Sequence, residues 1–214
     1  MSVRNSVRTA IGAVCGDTLM VRSLNRRLLP VLSEIAQELP PDARVLDIGA
    51  KHSPYASLFT GHCYATLDIM PENDPDIVGD ICELSRYVAP ESVDLIIATE
   101  VLEHVRDPWS AMSQIRTVLK PKGRFVGSVP FMVPYHPDPT DYWRFTPEGL
   151  KELTSEFDSA EVCPHGNRIL SALYILNCAG AGQALRVFDG LSDWMFRENS
   201  LGLPLGYIVT ATRH

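Results

Sequence analysis

The spacing of apolar residues changes along the chain, and each change marks an element. In LNRRLLPVLSEIAQE, residues 24–38, Leu28, Leu29, Leu32, Ile35 and Ala36 recur at helical spacing, and Pro40 and Pro41 end that helix. Short apolar runs then alternate with turn-rich or helical stretches. The pattern predicts strand ARVLDIG, a helix near SPYASLF, strand CYATLDI, short strand DIVGD, strand VDLIIAT, helix DPWSAMSQIRTVL and strand GRFVGSVP. Such alternation points to a parallel sheet covered by helices on both faces.

The helix after the fourth strand is the best marked. Asp107 can cap it, Pro108 suits its first position, and Trp109, Met112, Ile115, Val118 and Leu119 form an apolar stripe that reads as core. Lys120, Pro121, Lys122 and Gly123 supply the charge and turn residues of its exit. Residues 130–147, rich in Pro, Tyr and Asp, break the alternation, and long loops at the carboxyl ends of parallel strands commonly carry function. TPEGLKELTSEF then predicts a helix and SAEVCPH a sixth strand. An apolar helix around ILSALYILNCAGAG, an acidic and aromatic stretch FDGLSDWMFRENS, and a last strand GYIVTATR complete the chain.

With 214 residues, 45% of them apolar and 21% charged, the chain is long enough for one well-buried α/β domain. It divides into an N-terminal helical extension (1–40), a core (43–164), and a C-terminal helix with the final strand (165–214). The net charge of −7 argues against a nucleic-acid surface, which needs clustered Lys and Arg. Cys15, Cys63, Cys82, Cys163 and Cys178 are odd in number and scattered, so they read as reduced core thiols of a cytoplasmic protein. No apolar run reaches the roughly 18 residues of a membrane span, and no signal-peptide core is present. The first 27 residues hold five arginines and one acid. Two readings of them stay open: a helix packed over a cleft or sheet edge, and a peripheral membrane contact.

The candidate chemistry begins at VLDIGAKHSPYASLF, residues 45–59. A strand that ends in Asp47 and Gly49 and turns into a helix offers unpaired N–H groups to an anionic ligand, and Gly49 admits close backbone approach. About twenty residues after that glycine, Asp68 closes the next strand, where a carboxylate can accept hydrogen bonds from both hydroxyls of a ribose. An adenosine-type cofactor follows from that pair. Asp80 after DIVGD, the run VDLIIATEVLEHVRDPWSAMSQIRTVLKPKGRFVGSVPF and the later HPDPTDYWRFTPEGL add to it.

In this order the motifs resemble the class I S-adenosylmethionine (SAM)-dependent methyltransferases, in particular a bacterial branch with EVLEH after the fourth strand. The resemblance covers roughly residues 43–164. It implies a Rossmann-like, doubly wound seven-stranded sheet whose last strand is antiparallel. The activity it implies is methyl transfer from SAM to a small-molecule, glycan or lipid-precursor acceptor. It places Asp47, Gly49, Ala50 and Lys51 in the cofactor loop, Asp68 with Ile69 at the ribose, Asp80 with Ile81 at the adenine, and Thr99, Glu100 and His104 near the methyl group. The family commonly has glycine where this chain has Lys51. That lysine either meets the methionine carboxylate or is solvated, and Asp80 has the alternative of capping the turn begun at Ile81.

On the acceptor side, Tyr135, His136, Tyr142 and Arg144 are the binding candidates, and His136 and Asp141 the catalytic ones. A neutral imidazole can take a proton from a hydroxyl or amine. The alternative is a loop histidine that only bonds Asp141 or the backbone. Asp141 and Arg144 form an ion pair or leave Arg144 to clamp an anionic acceptor, while Tyr142 and Trp143 wall the pocket or fill core. Glu103 and His104 look like a metal fragment, but two adjacent ligands without a third predict no metal. The replaced glycine at Lys51 keeps alive a catalytically silent, methyltransferase-like binding protein. A nicotinamide-dependent reductase is weakened by the missing GxGxxG and by the third acid, Asp80.

Overall fold

The structure is a computed structural model that describes residues 17–51, 54–137, 139–176, 178 and 202–214. Its strands are β1 (Arg44–Ile48), β2 (Cys63–Asp68), β3 (Ile77–Val78), β4 (Val93–Thr99), β5 (Leu119–Pro130), β6 (Ser159–His165) and β7 (Gly206–Thr212). They form one sheet in the order β3-β2-β1-β4-β5-β7-β6. The pairs from β3 to β5 are parallel, and β7 runs antiparallel between β5 and β6. This is the doubly wound, Rossmann-like sheet expected from the sequence, with its last strand antiparallel.

The inner strands are apolar almost without interruption because both their faces are covered. Leu95, Ile96, Ile97 and Ala98 of β4 are fully buried. Alternation sends Leu46 and Ile48 of β1 to one face, with Ile96 and Ala98 of β4, and there they meet helix α2 (Pro108–Val118) through Met112 and Ile115 and helix α3 (Pro147–Leu153) through Leu150. The opposite face carries Val45, Leu95, Ile97 and Val126 against Leu24, Leu28, Leu32 and Ile35 of helix α1 (Asp17–Glu38). Each of those α1 side chains contributes about 1.5 to 3 kcal/mol by leaving water. A short helix α4 (Arg168–Leu176) buries Leu170 and Tyr174 beside Leu205. The chain builds outward from β1 to β3 and returns to β4, so the strand order reverses between β1 and β4 and opens a crevice at their carboxyl ends.

Several expectations are corrected. The helix near SPYASLF is only a short 3-10 turn, Ala56–Phe59. Tyr55 and Phe59 have helical spacing, but both are drawn into the α1-side core, where Phe59 stacks on Tyr64 at 5.9 Å, and the chain turns back at once into β2. Among the described residues no α-helix N-terminus therefore stands at the end of β1. Leu29 lies on the outer side of α1, and Trp109 is 51% exposed, its ring edge-on to Trp143 rather than in the stripe. The cysteines are not core thiols: Cys63 and Cys178 are exposed, and Cys82 and Cys163 are half-buried. Cys15, the arginine-rich start with its membrane-contact reading, and FDGLSDWMFRENS lie outside the described residues, apart from the part of the start that forms α1. Among the described residues no helix is long and apolar enough to cross a membrane.

Candidate functional site

A cleft of about 320 Å³ opens at the carboxyl ends of β1, β2 and β4. Its floor is Ile48 and Gly49. Gly49 has φ +68° and donates its N–H to Leu67 O at 2.7 Å, and an added Cβ would sit 2.6 Å from Val101 Cγ2. The conformation and the close approach both require glycine. Lys51, two residues on, keeps a left-handed backbone (φ +45°) without being glycine, and its exposed side chain stands at the rim of the cleft. Ala50 and Thr99 do not line the cleft.

Asp47 is set behind the wall. Alternation along β1 turns its side chain to the α1 face, away from Ile48, where Tyr64 donates its hydroxyl to Oδ2 while Oδ1 has no partner. Burial pushes this carboxyl up to about 7, against the lowering effect of the Tyr64 hydrogen bond. Asp68, by contrast, faces the cleft. It is 7% exposed and lines the cleft, its Oδ1 accepting from Met70 N at 2.9 Å and its Oδ2 from Asn73 Nδ2 at 2.8 Å. Each carboxylate oxygen has a further lone pair to offer. Asp80 caps the 3-10 turn Ile81–Arg86 through Cys82 N at 2.8 Å, the second of its two readings, and it also lines the cleft. Ile81 is buried beneath that edge, and Ile69 is 56% exposed above it.

The segment after β4 forms the facing wall. Glu100 adopts φ +55° and is tied to β5, donating its N–H to Ser128 O at 3.0 Å and accepting from Ser128 Oγ at 2.7 Å. Burial pushes its carboxyl up to about 7, with the Ser128 bond and Arg144 acting in the other direction. A short turn, Leu102–His104, then carries Glu103 fully inside, with no hydrogen-bond partner on either carboxyl oxygen. Burial, reinforced by the charge of Glu100, holds Glu103 well above the usual carboxylate range. His104 lines the cleft, its Nδ1 3.0 Å from Thr140 O and its Nε2 3.6 Å from Glu103 Oε1. Burial lowers its pKa.

The segment from Phe131 to Thr146 folds back over this turn. Tyr142 N donates to Glu103 O at 2.8 Å and Trp143 Nε1 to Val105 O at 2.9 Å, which brings Pro139 and Tyr142 to the cleft. Arg144 grips both oxygens of Asp141, at 2.5 and 2.7 Å, and donates to Val133 O as well. Burial opposes it, but the Arg144 guanidinium keeps Asp141 below its ordinary pKa. Asp141 Oδ2 also accepts from His136 N at 3.1 Å and lies 3.3 Å from His136 Nδ1. The ion pair and the histidine contact are thus both present. Nε2 of His136 is 4.0 Å from Glu103 Oε1, and the rings of His104 and His136 meet edge to face at 5.0 Å. Tyr135 is 70% exposed and, like His136, Asp141 and Arg144, stands outside the cofactor cleft. Trp143 packs against the core beside Phe145.

Two participants were not foreseen in their roles. Asn73, the last residue of the 3-10 turn Pro71–Asn73, holds Asp68 from five residues on, and nothing in its local sequence marks it. Glu103 looked like half of a motif, and the sequence does not show that it is buried and unsatisfied.

Comparison with known proteins agrees with this geometry. A family model described as a methyltransferase domain matches residues 20–163. No curated protein sequence matches the chain. Among solved structures, a SAM-dependent methyltransferase from Archaeoglobus fulgidus superposes with a TM-score of 0.61 at 17% identity, covering 91% of this chain and 93% of that one. A putative sarcosine dimethylglycine methyltransferase from Galdieria sulphuraria gives 0.60 at 17%, over 90% and 88%. Phosphoethanolamine N-methyltransferase 2 of Haemonchus contortus, solved with S-adenosyl-L-methionine, gives 0.57 at 16% over 86% of this chain and 51% of its own. With the family pattern spanning most of the sheet and both walls of the cleft, the chain belongs to the methyltransferase-domain family.

Proposed function

We propose that this protein transfers the sulfonium methyl of SAM to an oxygen, nitrogen or carbon of a small-molecule, glycan or lipid-precursor acceptor in the cytoplasm. The observation that carries the reading is the cleft itself. Gly49, Asp68 and Asp80 stand at successive strand ends around one crevice at the switch point of the sheet, facing Glu100 and His104. SAM fits it with the ribose hydroxyls on Asp68 beside Ile69, the adenine between Asp80 and Ile81, and the methionine moiety over Gly49 and Lys51. The methyl then points toward His104.

Transfer is an in-line displacement. The acceptor's electron pair forms the new bond to carbon as the carbon–sulfur bond breaks, and S-adenosylhomocysteine leaves. Alignment in a dry pocket supplies most of the acceleration. His136, oriented by Asp141, is the imidazole at the acceptor end that can receive a proton, with Tyr135, Tyr142 and Arg144 shaping that end. The net charge of −7 favours a small acceptor over nucleic acid. Two of the fold neighbours are named for small amine substrates.

A second reading, a silent SAM-binding protein, is favoured by one observation: the lysine at φ +45° where the family commonly places glycine. Calorimetry with SAM, S-adenosylhomocysteine and NADH tests the cofactor, with binding of the first two alone expected. A screen of sugars, lipid precursors and small metabolites for S-adenosylhomocysteine release tests the reaction. SAM binding with no release from any acceptor selects the silent protein, and NADH binding overturns both readings.

A further inference from the structure

Glu103 is the anomaly of the site. A carboxyl group with no exposure and no hydrogen bond on either oxygen is costly, and buried polar groups nearly always have a partner. Its Oε1 faces two imidazole nitrogens, His104 Nε2 at 3.6 Å and His136 Nε2 at 4.0 Å, and one donor atom from each of the three residues lies within 4.8 Å of the other two. Both rings are turned the same way by their other nitrogen. His104 Nδ1 is 3.0 Å from Thr140 O, and His136 Nδ1 is 3.2 Å from Pro134 O and 3.3 Å from Asp141 Oδ2. The oxygen at His104 Nδ1 takes its proton and turns its Nε2 lone pair toward Glu103; at His136 Nδ1 two oxygens compete with the Arg144 Nη2 donor at 3.4 Å, and an ion on Nε2 would keep the proton on Nδ1.

We propose that Glu103 Oε1, His104 Nε2 and His136 Nε2 bind a divalent transition-metal ion of the Zn²⁺, Mn²⁺ or Co²⁺ class, with an open coordination position toward the acceptor. One carboxylate and two imidazoles are a recurrent three-residue ligand set for such ions, and imidazole disfavours Mg²⁺ and Ca²⁺. Ligand bonds of about 2.0 to 2.2 Å put ligand atoms roughly 3.3 to 3.6 Å apart in a tetrahedral site, so the carboxylate needs little movement toward His104, at 3.6 Å, or His136, at 4.0 Å. The local charge has room for a cation. Arg144 is taken up by Asp141, and Glu100 adds a second buried carboxyl beside Glu103. Sequence order gives Glu103 and His104 no third partner; the fold supplies it from the segment after β5, and this revises the expectation of a metal-free site.

Because His104 also lines the cofactor cleft, an acceptor oxygen on the ion would stand next to the methyl group. This consequence rests on the methyltransferase reading; the ion site does not. A hydroxyl coordinated there would give up its proton to solvent water more readily, and His136 then serves as a ligand rather than as the base.

The test is calorimetric titration of untagged, chelator-stripped protein with Zn²⁺ and, separately, Mn²⁺, in the absence of SAM. One ion per chain is expected. Glu103→Gln and His136→Ala should each weaken it by about 10- to 100-fold or more, since even outer partners of metal ligands carry that much. Circular dichroism establishes that the variants are folded, and His136→Ala, at the half-exposed position, keeps the test open if Glu103→Gln does not fold. Co²⁺ substitution should give the visible absorption of a low-coordinate site. No binding, or binding indifferent to both substitutions, overturns the proposal. SAM titration of the stripped protein separates that failure from failure of the methyltransferase reading.

Discussion

Asp47 should make the stability of the ligand-free protein fall as pH rises. It is 1% exposed, with Oδ1 unpartnered and Oδ2 bonded by Tyr64, and burial lifts its pKa from 3.8 to about 7. Between those values the folded state holds a proton that the unfolded chain has released, so the native state binds more protons and stability decreases with pH. The contribution is fully present below pH 3.8 and is lost by about pH 7. At about 1.4 kcal/mol per pH unit the loss is about 4 kcal/mol. Solvent screening does not reduce it appreciably at so small an exposure. Asp47→Asn keeps the shape and an acceptor for Tyr64 but cannot ionise. Its unpaired amide costs the same at every pH and cancels from the comparison. Urea unfolding of both proteins at pH 5 and pH 8 is the assay. Wild type should lose stability relative to Asp47→Asn between the two, by about 2 to 3 kcal/mol, the part of the loss that falls above pH 5, leaving Glu100 and Glu103 to act equally on both. Parallel profiles would refute the argument.

Asp68→Ala should weaken SAM binding by roughly 2 to 4 kcal/mol, the value of two hydrogen bonds to a charged acceptor, and calorimetry that finds unchanged affinity in a folded variant removes Asp68 from the ribose. Lys51→Gly should stabilise the fold by about 1 kcal/mol, because glycine adopts φ +45° without the Cβ penalty, as read from denaturant midpoints. If the lysine pairs with the methionine carboxylate, Lys51→Met weakens SAM and leaves adenosine binding alone; an equal response from both ligands rejects that pairing. His136→Ala should lower turnover on a hydroxyl or amine acceptor by about 100-fold or more with SAM affinity nearly unchanged, and full activity rejects any role for the imidazole.

The strands were legible because burial on two faces writes itself as short, dense apolar runs: VLDIG and VDLIIAT could be placed as β1 and β4 by period alone. The places of Asp68 and Asp80 at the strand ends around the cleft were legible because they end such runs. The connection after β1 was not. Tyr55 and Phe59 have the spacing of a helix face, yet they satisfy it in a single 3-10 turn against α1. Asp47 was read as part of the cofactor loop because it neighbours Gly49, whereas strand alternation sends its side chain through to the other face. The cluster at Glu103 could not be read from local sequence, since its third member arrives from another strand's loop and its unsatisfied burial is a property of packing.

The backbone bonds between the two loops have a consequence for how specificity can change. Glu103 O holds Tyr142 N, and Thr140 O holds the ring of His104, so the segments after β4 and β5 are laced into one wall. A substitution that moves the loop after β5 shifts His104 in the cleft with it, and on the proposed function that couples the acceptor side to the cofactor side. Recognition of a new acceptor is therefore not a modular property that can be grafted with residues 131–146 alone. The two loops are one unit of exchange, to be swapped together.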